Sequence, residues 1–219
     1  HMQFQQRAIK ITREKLSKDK SLIGFVGGFW TVMRFAIGQN KEQKQFQKFY
    51  PEYIKNTLYE ALKINIKLQL NAGAEIVMMF DSGIQDLDNN FFQKEYTSLL
   101  TSIANLYPNK IGYYVRGKQF NDIKHLLELP FAGVGIDSSM NLKNLFTDLK
   151  HGFIQGNFDE KKLLLDTQHL TEELDKFSDN CNSFENLNGW VCGLGHGINK
   201  NTPEKNVHLF IETIRKKFK

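Results

Sequence analysis

Six short groups of residues carry the side-chain types that do chemistry, and each follows an apolar run. They are Gly27-Gly28-Phe29-Trp30, Asp81-Ser82-Gly83, Arg116-Gly117-Lys118, Asp137-Ser138-Ser139, Gly156-Asn157-Phe158-Asp159 and Gly195-His196-Gly197. His196 stands between two glycines with no bulky neighbour to bury it. That suits an imidazole presented to a cleft; a structural histidine is the alternative. Ser82 is a nucleophile only with a base beside it, so a hydroxyl that hydrogen-bonds a ligand is the better reading. Asp81 and Asp137 are candidate acid/base groups, or they cap helices and order the neighbouring loops. Gln155-Gly156-Asn157 is an amide-bearing strand end that binds a ligand or closes the strand.

The elements that must position these residues alternate. Apolar runs at 21–27, 74–80, 110–115, 132–136, 152–155 and 190–194 have the length of strands buried on both faces. Helical stretches separate them at 53–71, 89–106, 121–129, 142–149, 160–177 and 202–218, and a further helix leads at 5–16. In the clearest, Ile54, Leu58, Leu62, Ile66 and Leu70 form one apolar stripe, and Gly73 supplies the stop. Thr202-Pro203-Glu204 has the form of a helix start, with Thr as cap and Pro in the first turn. Strict alternation implies a parallel sheet. No G-x-G-x-x-G or G-x-x-x-x-G-K-[ST] follows the first strand, so a nucleotide-binding doubly wound fold loses its signature. The fold expected is α/β: an incomplete or shortened (β/α)8 TIM-type barrel with about six recognisable strand–helix units. In such sheets ligands gather at the carboxyl ends of the strands, where all six groups lie.

Composition narrows the classes. The 219 residues suffice for one domain with a sizeable core, expected over 3–219. His1-Met2 has the look of a cloning junction, although Met2 also serves as a start. No apolar run reaches the length of a membrane span, and no cleavage pattern follows the charged N-terminus. Cys181 and Cys192 lack zinc-ligand or C-x-x-C spacing and read as reduced thiols, so a cytoplasmic location is expected. The net charge of +5 comes from scattered lysines. It fits a solvated surface, or a site that attracts an anion. No basic stripe interleaves with aromatics, so nucleic acid is not an expected partner.

Five segments also match motifs of one family in order and spacing. Residues 21–31, Ser-Leu-Ile-Gly-Phe-Val-Gly-Gly-Phe-Trp-Thr, follow P-L-I-G-F-x-G-x-P-[WF]-T, with Phe29 in place of the proline. Residues 71–82, ending in Phe80-Asp81-Ser82, follow x-A-G-A-x-x-x-x-x-F-[DE]-S. Val134-Gly135-Ile136-Asp137 follows V-G-[LI]-D, and Gln155-Gly156-Asn157-Phe158-Asp159 follows Q-G-N-[LF]-D. Leu194-Gly195-His196-Gly197, then Thr202-Pro203-Glu204 and Val207, follow L-G-H-G…[TD]-P-[PE]-x-x-V. The chain thereby resembles the uroporphyrinogen decarboxylase family over that family's last two-thirds.

The resemblance implies a (β/α)8 barrel, a homodimer with facing clefts, and a place in haem biosynthesis. It implies cofactor-free, metal-free removal of carboxyl groups from the acetate side chains of an anionic tetrapyrrole. Ser82 falls on the family serine that contacts substrate, and His196 on the histidine that binds a substrate carboxylate. Phe35 falls where the family has a functional tyrosine, keeping the ring and losing the hydroxyl, with Arg34 beside it. The family's R-Q-A-G-R segment and F-S-D aspartate have no counterpart in this chain. Arg34, Arg116 and Lys118 are the candidates to supply the missing cationic contacts. Three readings follow: a short decarboxylase, a tetrapyrrole-binding paralogue without turnover, or a part that needs the remaining segment in trans. Corrinoid methyltransferases share the fold, but their zinc-binding His-x-Cys is replaced here by Tyr113-Tyr114-Val115-Arg116-Gly117-Lys118, and His196 stands where they have cysteine.

Overall fold

The computed structural model describes residues 2–38 and 57–218. Helix α1 (Gln3–Lys15) leads into β1 (Ile23–Gly27) and α2 (Phe29–Ile37), and α3 (Tyr59–Asn71) precedes β2 (Ile76–Asp81). Then come α4 (Thr97–Leu106), β3 (Ile111–Val115), α5 (Phe120–Ile123), β4 (Gly133–Ile136) and α6 (Leu142–Asp148). The run ends with β5 (Phe153–Phe158), α7 (Thr167–Asn182), β6 (Trp190–Leu194) and α8 (Glu204–Lys217). The six strands are all parallel and pair in chain order, β1-β2-β3-β4-β5-β6. This is the TIM-like α/β arrangement that the alternation predicts.

Period-two alternation assigns the two faces of the sheet. Val26, Val77, Met79, Ile111, Tyr113, Val115, Val134, Ile136 and Ile154 lie on one face and form the core with the helices. Leu58, Leu62 and Ile66 of the expected stripe are buried against it; positions 53–56 of that predicted helix fall outside the described residues. On the opposite face, glycines 112, 133 and 135 leave gaps that Met78, Phe153 and Tyr114 occupy. This large-against-small filling is how barrel interiors pack. Toward β1 the same face is open, and Phe25 is 65% exposed.

Edge strand β1 is blunted by one side chain. Gln69 of α3 accepts from Phe25 N–H at 3.0 Å through Oε1 and donates to Phe25 O at 2.9 Å through Nε2. Its amide thereby occupies the outward peptide groups that would otherwise template another strand.

Several boundaries differ from expectation. The helix expected over 160–177 is a 3-10 turn (Glu160–Leu164) and then α7, which starts afresh because Asp166 accepts from His169 N–H as its N-cap. The stretch 121–129 holds only α5 and a 3-10 turn (Lys124–Glu128) before Pro130. The stretch 89–106 is helical throughout. Asp88 caps its first turn, and a π-helical turn (Phe92–Tyr96) leads into α4. β5 runs three residues past the predicted end. The cap of α8 is Pro203 and not Thr202, whose hydroxyl is buried without a partner.

Candidate functional site

Phe80 and Tyr114 are register partners on the open face of β2 and β3, and Phe25 lies on the same face of β1. Their rings form a ladder, with centroids 6.5 Å apart from Phe25 to Phe80 and 5.7 Å from Phe80 to Tyr114. Two residues further along each strand, the same face carries Ser82 and Arg116. An aromatic floor therefore leads up to a polar rim.

The rim surrounds a cavity of about 190 Å³ lined by Thr31, Arg34, Phe35, Ser82, Gly83, Gln85 and Arg116. Arg34 and Phe35 reach it from α2, where they stand three and four residues after Thr31 and so share its face. The Arg34 guanidinium is ion-paired with Asp86. Phe35 is 68% exposed, its ring uncovered at the mouth. Arg116 Nη1 lies 3.3 Å from His196 Nε2, which places His196 at the end of β6 beside the same rim. Five of the six residues named from the sequence thus come together: Ser82, Arg34, Phe35, Arg116 and His196.

Lys118 does not join them. Gly117 turns the chain through a left-handed conformation, φ +66°, and sends the lysine the other way. Its ammonium donates to Leu87 O at 2.5 Å and Asn89 Oδ1 at 2.7 Å and lies 5.3 Å over the Phe92 ring. It is 3% exposed, and burial holds its pKa below the ordinary lysine range. It ties the 84–89 loop to the end of β3.

The two aspartates organise the strand ends. Asp81 is fully buried and faces the helices, so neighbours Asp81 and Ser82 serve opposite sides of the sheet. Its carboxylate accepts from Thr31 N–H at 2.9 Å, Thr31 Oγ1–H at 2.7 Å, Tyr113 O–H at 3.2 Å and Tyr96 O–H. Burial raises its pKa against the pull of those donors. Asp137 accepts from Ser139 N–H at 2.8 Å and from Gly117 N–H, linking the ends of β4 and β3. Both do the capping and loop-ordering work that the sequence left open beside an acid/base role.

His196 is positioned by backbone. Gly195 N–H donates to Phe158 O at 2.7 Å, and Gly195 O accepts from Tyr114 O–H at 2.7 Å. The Tyr114 phenol, pushed up by burial, stays a donor. Sequence reasoning missed Tyr114, Phe80 and Phe25 as site-forming residues. The signal was their shared strand parity below Ser82 and Arg116.

A larger cavity of about 420 Å³ opens between the β4–α6 turn and α7. Its two lysines, Lys162 and Lys176, are both paired with Glu173, and none of the five converging residues lines it. The smaller cavity is therefore the candidate site. Among the described residues no three His, Cys, Asp or Glu side chains are grouped to hold a metal ion.

The sequence model of the uroporphyrinogen decarboxylase family matches residues 1–217. The uroporphyrinogen decarboxylase of Orientia tsutsugamushi (strain Ikeda) is 29% identical over 222 residues, covering 95% of this chain and 64% of the relative. That of Campylobacter jejuni subsp. jejuni serotype O:23/36 is 31% identical over 221 residues, covering 95% of this chain and 63% of the relative. The chain therefore spans a little under two-thirds of the length of these relatives. Among solved structures, a methyltransferase from Methanosarcina mazei superposes with a TM-score of 0.74 at 19% identity, over 98% of this chain and 64% of its own. A B12-independent methionine synthase from Shewanella sp. W3-18-1 gives a TM-score of 0.65 at 9% identity, over 96% of this chain and 64% of its own. At such identities these two speak for the fold alone.

Proposed function

The chain belongs to the uroporphyrinogen decarboxylase family, and from that premise we propose that it binds an anionic tetrapyrrole and takes part in decarboxylating uroporphyrinogen to coproporphyrinogen. The observation that carries this reading is the convergence of Arg34, Ser82 and Arg116 on one cavity, with His196 against Arg116 and an aromatic ladder on the same face of the sheet. A flat, apolar ring edged with carboxylates needs both. Guanidinium groups meet carboxylates in paired, charge-assisted hydrogen bonds. Phe25 and Phe80, both exposed, offer the ring's face an apolar surface that excludes water.

The chemistry needs no metal or cofactor. Protonating a pyrrole α-carbon turns the ring into a cation. The C–C bond to the acetate carboxylate then breaks, CO2 leaves, and its electron pair is taken up by the ring. A second proton completes the methyl group as the first is lost. Fixed cations at the rim hold the carboxylates that do not react. An environment that favours the ring cation lowers the barrier electrostatically.

A second reading has an observation in its favour. Among the described residues that line the cavity none is a carboxylic acid, and Phe35 carries no hydroxyl. That fits a protein that binds the tetrapyrrole without turning it over. The apolar open face toward β1 fits cover by a second copy in a homodimer; light scattering on a size-exclusion column that returns a stable monomer would count against the dimer. The unpaired cysteines fit a cytoplasmic setting.

One experiment separates decarboxylation from binding alone. Purified protein at high loading is incubated anaerobically with uroporphyrinogen, and the products are oxidised and resolved by carboxyl number. Products with fewer than eight carboxyls support decarboxylation. Unchanged substrate, with uroporphyrin still bound, leaves the binding protein. In either case Arg116→Ala is expected to weaken uroporphyrin binding about 10- to 100-fold, the range for loss of a charge-assisted contact. An unchanged affinity would remove Arg116 from the site.

A further inference from the structure

Helix α2 carries three residues that line the cavity, yet its own N-cap is Gly28, which has no side chain to offer. The amides of its first turn are satisfied from other elements. Trp30 N–H donates to Tyr96 Oη at 3.0 Å, and Thr31 N–H donates to Asp81 Oδ1 at 2.9 Å. A carboxylate at a helix N-terminus also meets the positive end of the helix dipole. The fit is close: a Cβ placed on Gly28 would lie 2.3 Å from Asp81 Cγ.

The chain of hydrogen bonds continues toward the cavity. Thr31 Oγ1 donates to Asp81 at 2.7 Å and accepts from Gly83 N–H at 3.0 Å. Arg34, one turn on, crosses that same turn of backbone; a Cβ on Gly83 would sit 3.4 Å from its Cδ and Nη1. One hydroxyl thus joins the buried carboxylate, the face of α2 and the Ser82–Gly83 turn.

We propose that Asp81, acting through Thr31, is a positioning residue that fixes the rotation of α2 against the Ser82–Gly83 turn, so that Arg34 and Ser82 grip one ligand carboxylate together. The proposal rests on the reading of this cavity as a carboxylate site. The carboxylate has about four acceptor positions, and four donors fill them. An amide in its place keeps the shape, loses the charge, and turns a donor toward the tyrosine hydroxyls. Thr31→Val keeps the shape and removes both bonds of the hydroxyl, to Asp81 and from Gly83, while the Thr31 N–H bond to Asp81 remains.

The test uses the full chain with two readouts. In the first, uroporphyrin is titrated by its absorbance into wild type, Asp81→Asn, Thr31→Val, and each combined with Arg34→Met or His196→Ala. Each link variant is expected to cost about tenfold in affinity, as for residues coupled in one network. The loss should vanish in the Arg34→Met background and persist in the His196→Ala background. The same loss in both backgrounds would overturn the proposal, since a general loosening does not single out Arg34. In the second, amide exchange at Gly83 is expected to speed up in Thr31→Val while β3 and β4 stay protected; unchanged exchange also overturns it. If wild type takes up no uroporphyrin, the carboxylate reading fails, and Gly83 exchange still decides the link. Should Asp81→Asn not fold, Thr31→Val carries both measurements.

Discussion

Of the three glycines in Gly193-Leu194-Gly195-His196-Gly197, only Gly195 has no room for a side chain. A Cβ there would lie 2.4 Å from Ser138 N and 3.0 Å from Ser138 Cβ. Gly193 has its nearest neighbour at 3.8 Å, and Gly197 has nothing within 4 Å. Gly195→Ala must therefore drive the end of β6 about 1 Å from the β4 turn to restore ordinary contact. Overpacking of that kind costs about 1–3 kcal/mol, and loss of the Tyr114 bond to Gly195 O adds about 1 kcal/mol. Together they predict a destabilisation of about 2–4 kcal/mol. The shift also carries His196 away from Arg116, so uroporphyrin affinity falls with stability. Gly197→Ala, two residues away, is expected to change neither. Urea unfolding followed by circular dichroism, with parallel porphyrin titrations, reads both quantities. If Gly195→Ala and Gly197→Ala behave alike, the close approach of β6 to the β4 turn is not what places the histidine.

Two further expectations concern groups outside the rim. Lys118→Met keeps the stem but leaves Leu87 O and Asn89 Oδ1 without their donor, and it should cost about 1–3 kcal/mol in urea unfolding. Porphyrin affinity that fell 100-fold with unchanged stability would instead return Lys118 to the site. Glu173 lies between Lys162 and Lys176, whose hydrogen bonds pull its pKa from 4.5 down to about 2. A depressed carboxylate stabilises the fold above its unfolded pKa and loses that contribution as pH falls through the folded value. Glu173→Gln should thus lower stability at pH 7 and flatten its decline between pH 4.5 and 2; superimposable pH profiles would contradict this.

The strands were legible because buried parallel strands are short, continuous apolar runs, and β6 coincides with its predicted range. The sequence ends this strand at 155 because Gly156-Asn157 has turn chemistry, whereas Asn157 spends its amide on Asp137 O and Met140 O inside the sheet end. The 160–177 stretch looked continuous because periodicity does not register a mid-run N-cap such as Asp166. In the site, proximity to a strand end picked out the right neighbourhood but not the direction of each side chain. Arg116 and Lys118 are two apart and part ways at Gly117, whose left-handed φ has no mark in a one-dimensional pattern. Asp81 and Ser82 are adjacent and face opposite sides for the simplest reason, the alternation of a strand. The aromatic floor was hidden because Phe25, Phe80 and Tyr114 read as ordinary strand residues until register aligned them.

The strand order carries one more consequence, for how the chain is made. From β2 onward, each strand pairs with the strand immediately before it in sequence. During synthesis every new strand–helix unit thus meets a partner that is already in place. The sheet grows in one direction, each crossover joining strands that are neighbours in sequence. Among the described strands the latest edge waits for its neighbour, while Gln69 covers the outer edge of β1 once α3 docks. Pulse-labelled nascent chains should therefore gain protease resistance in steps that follow the strand count.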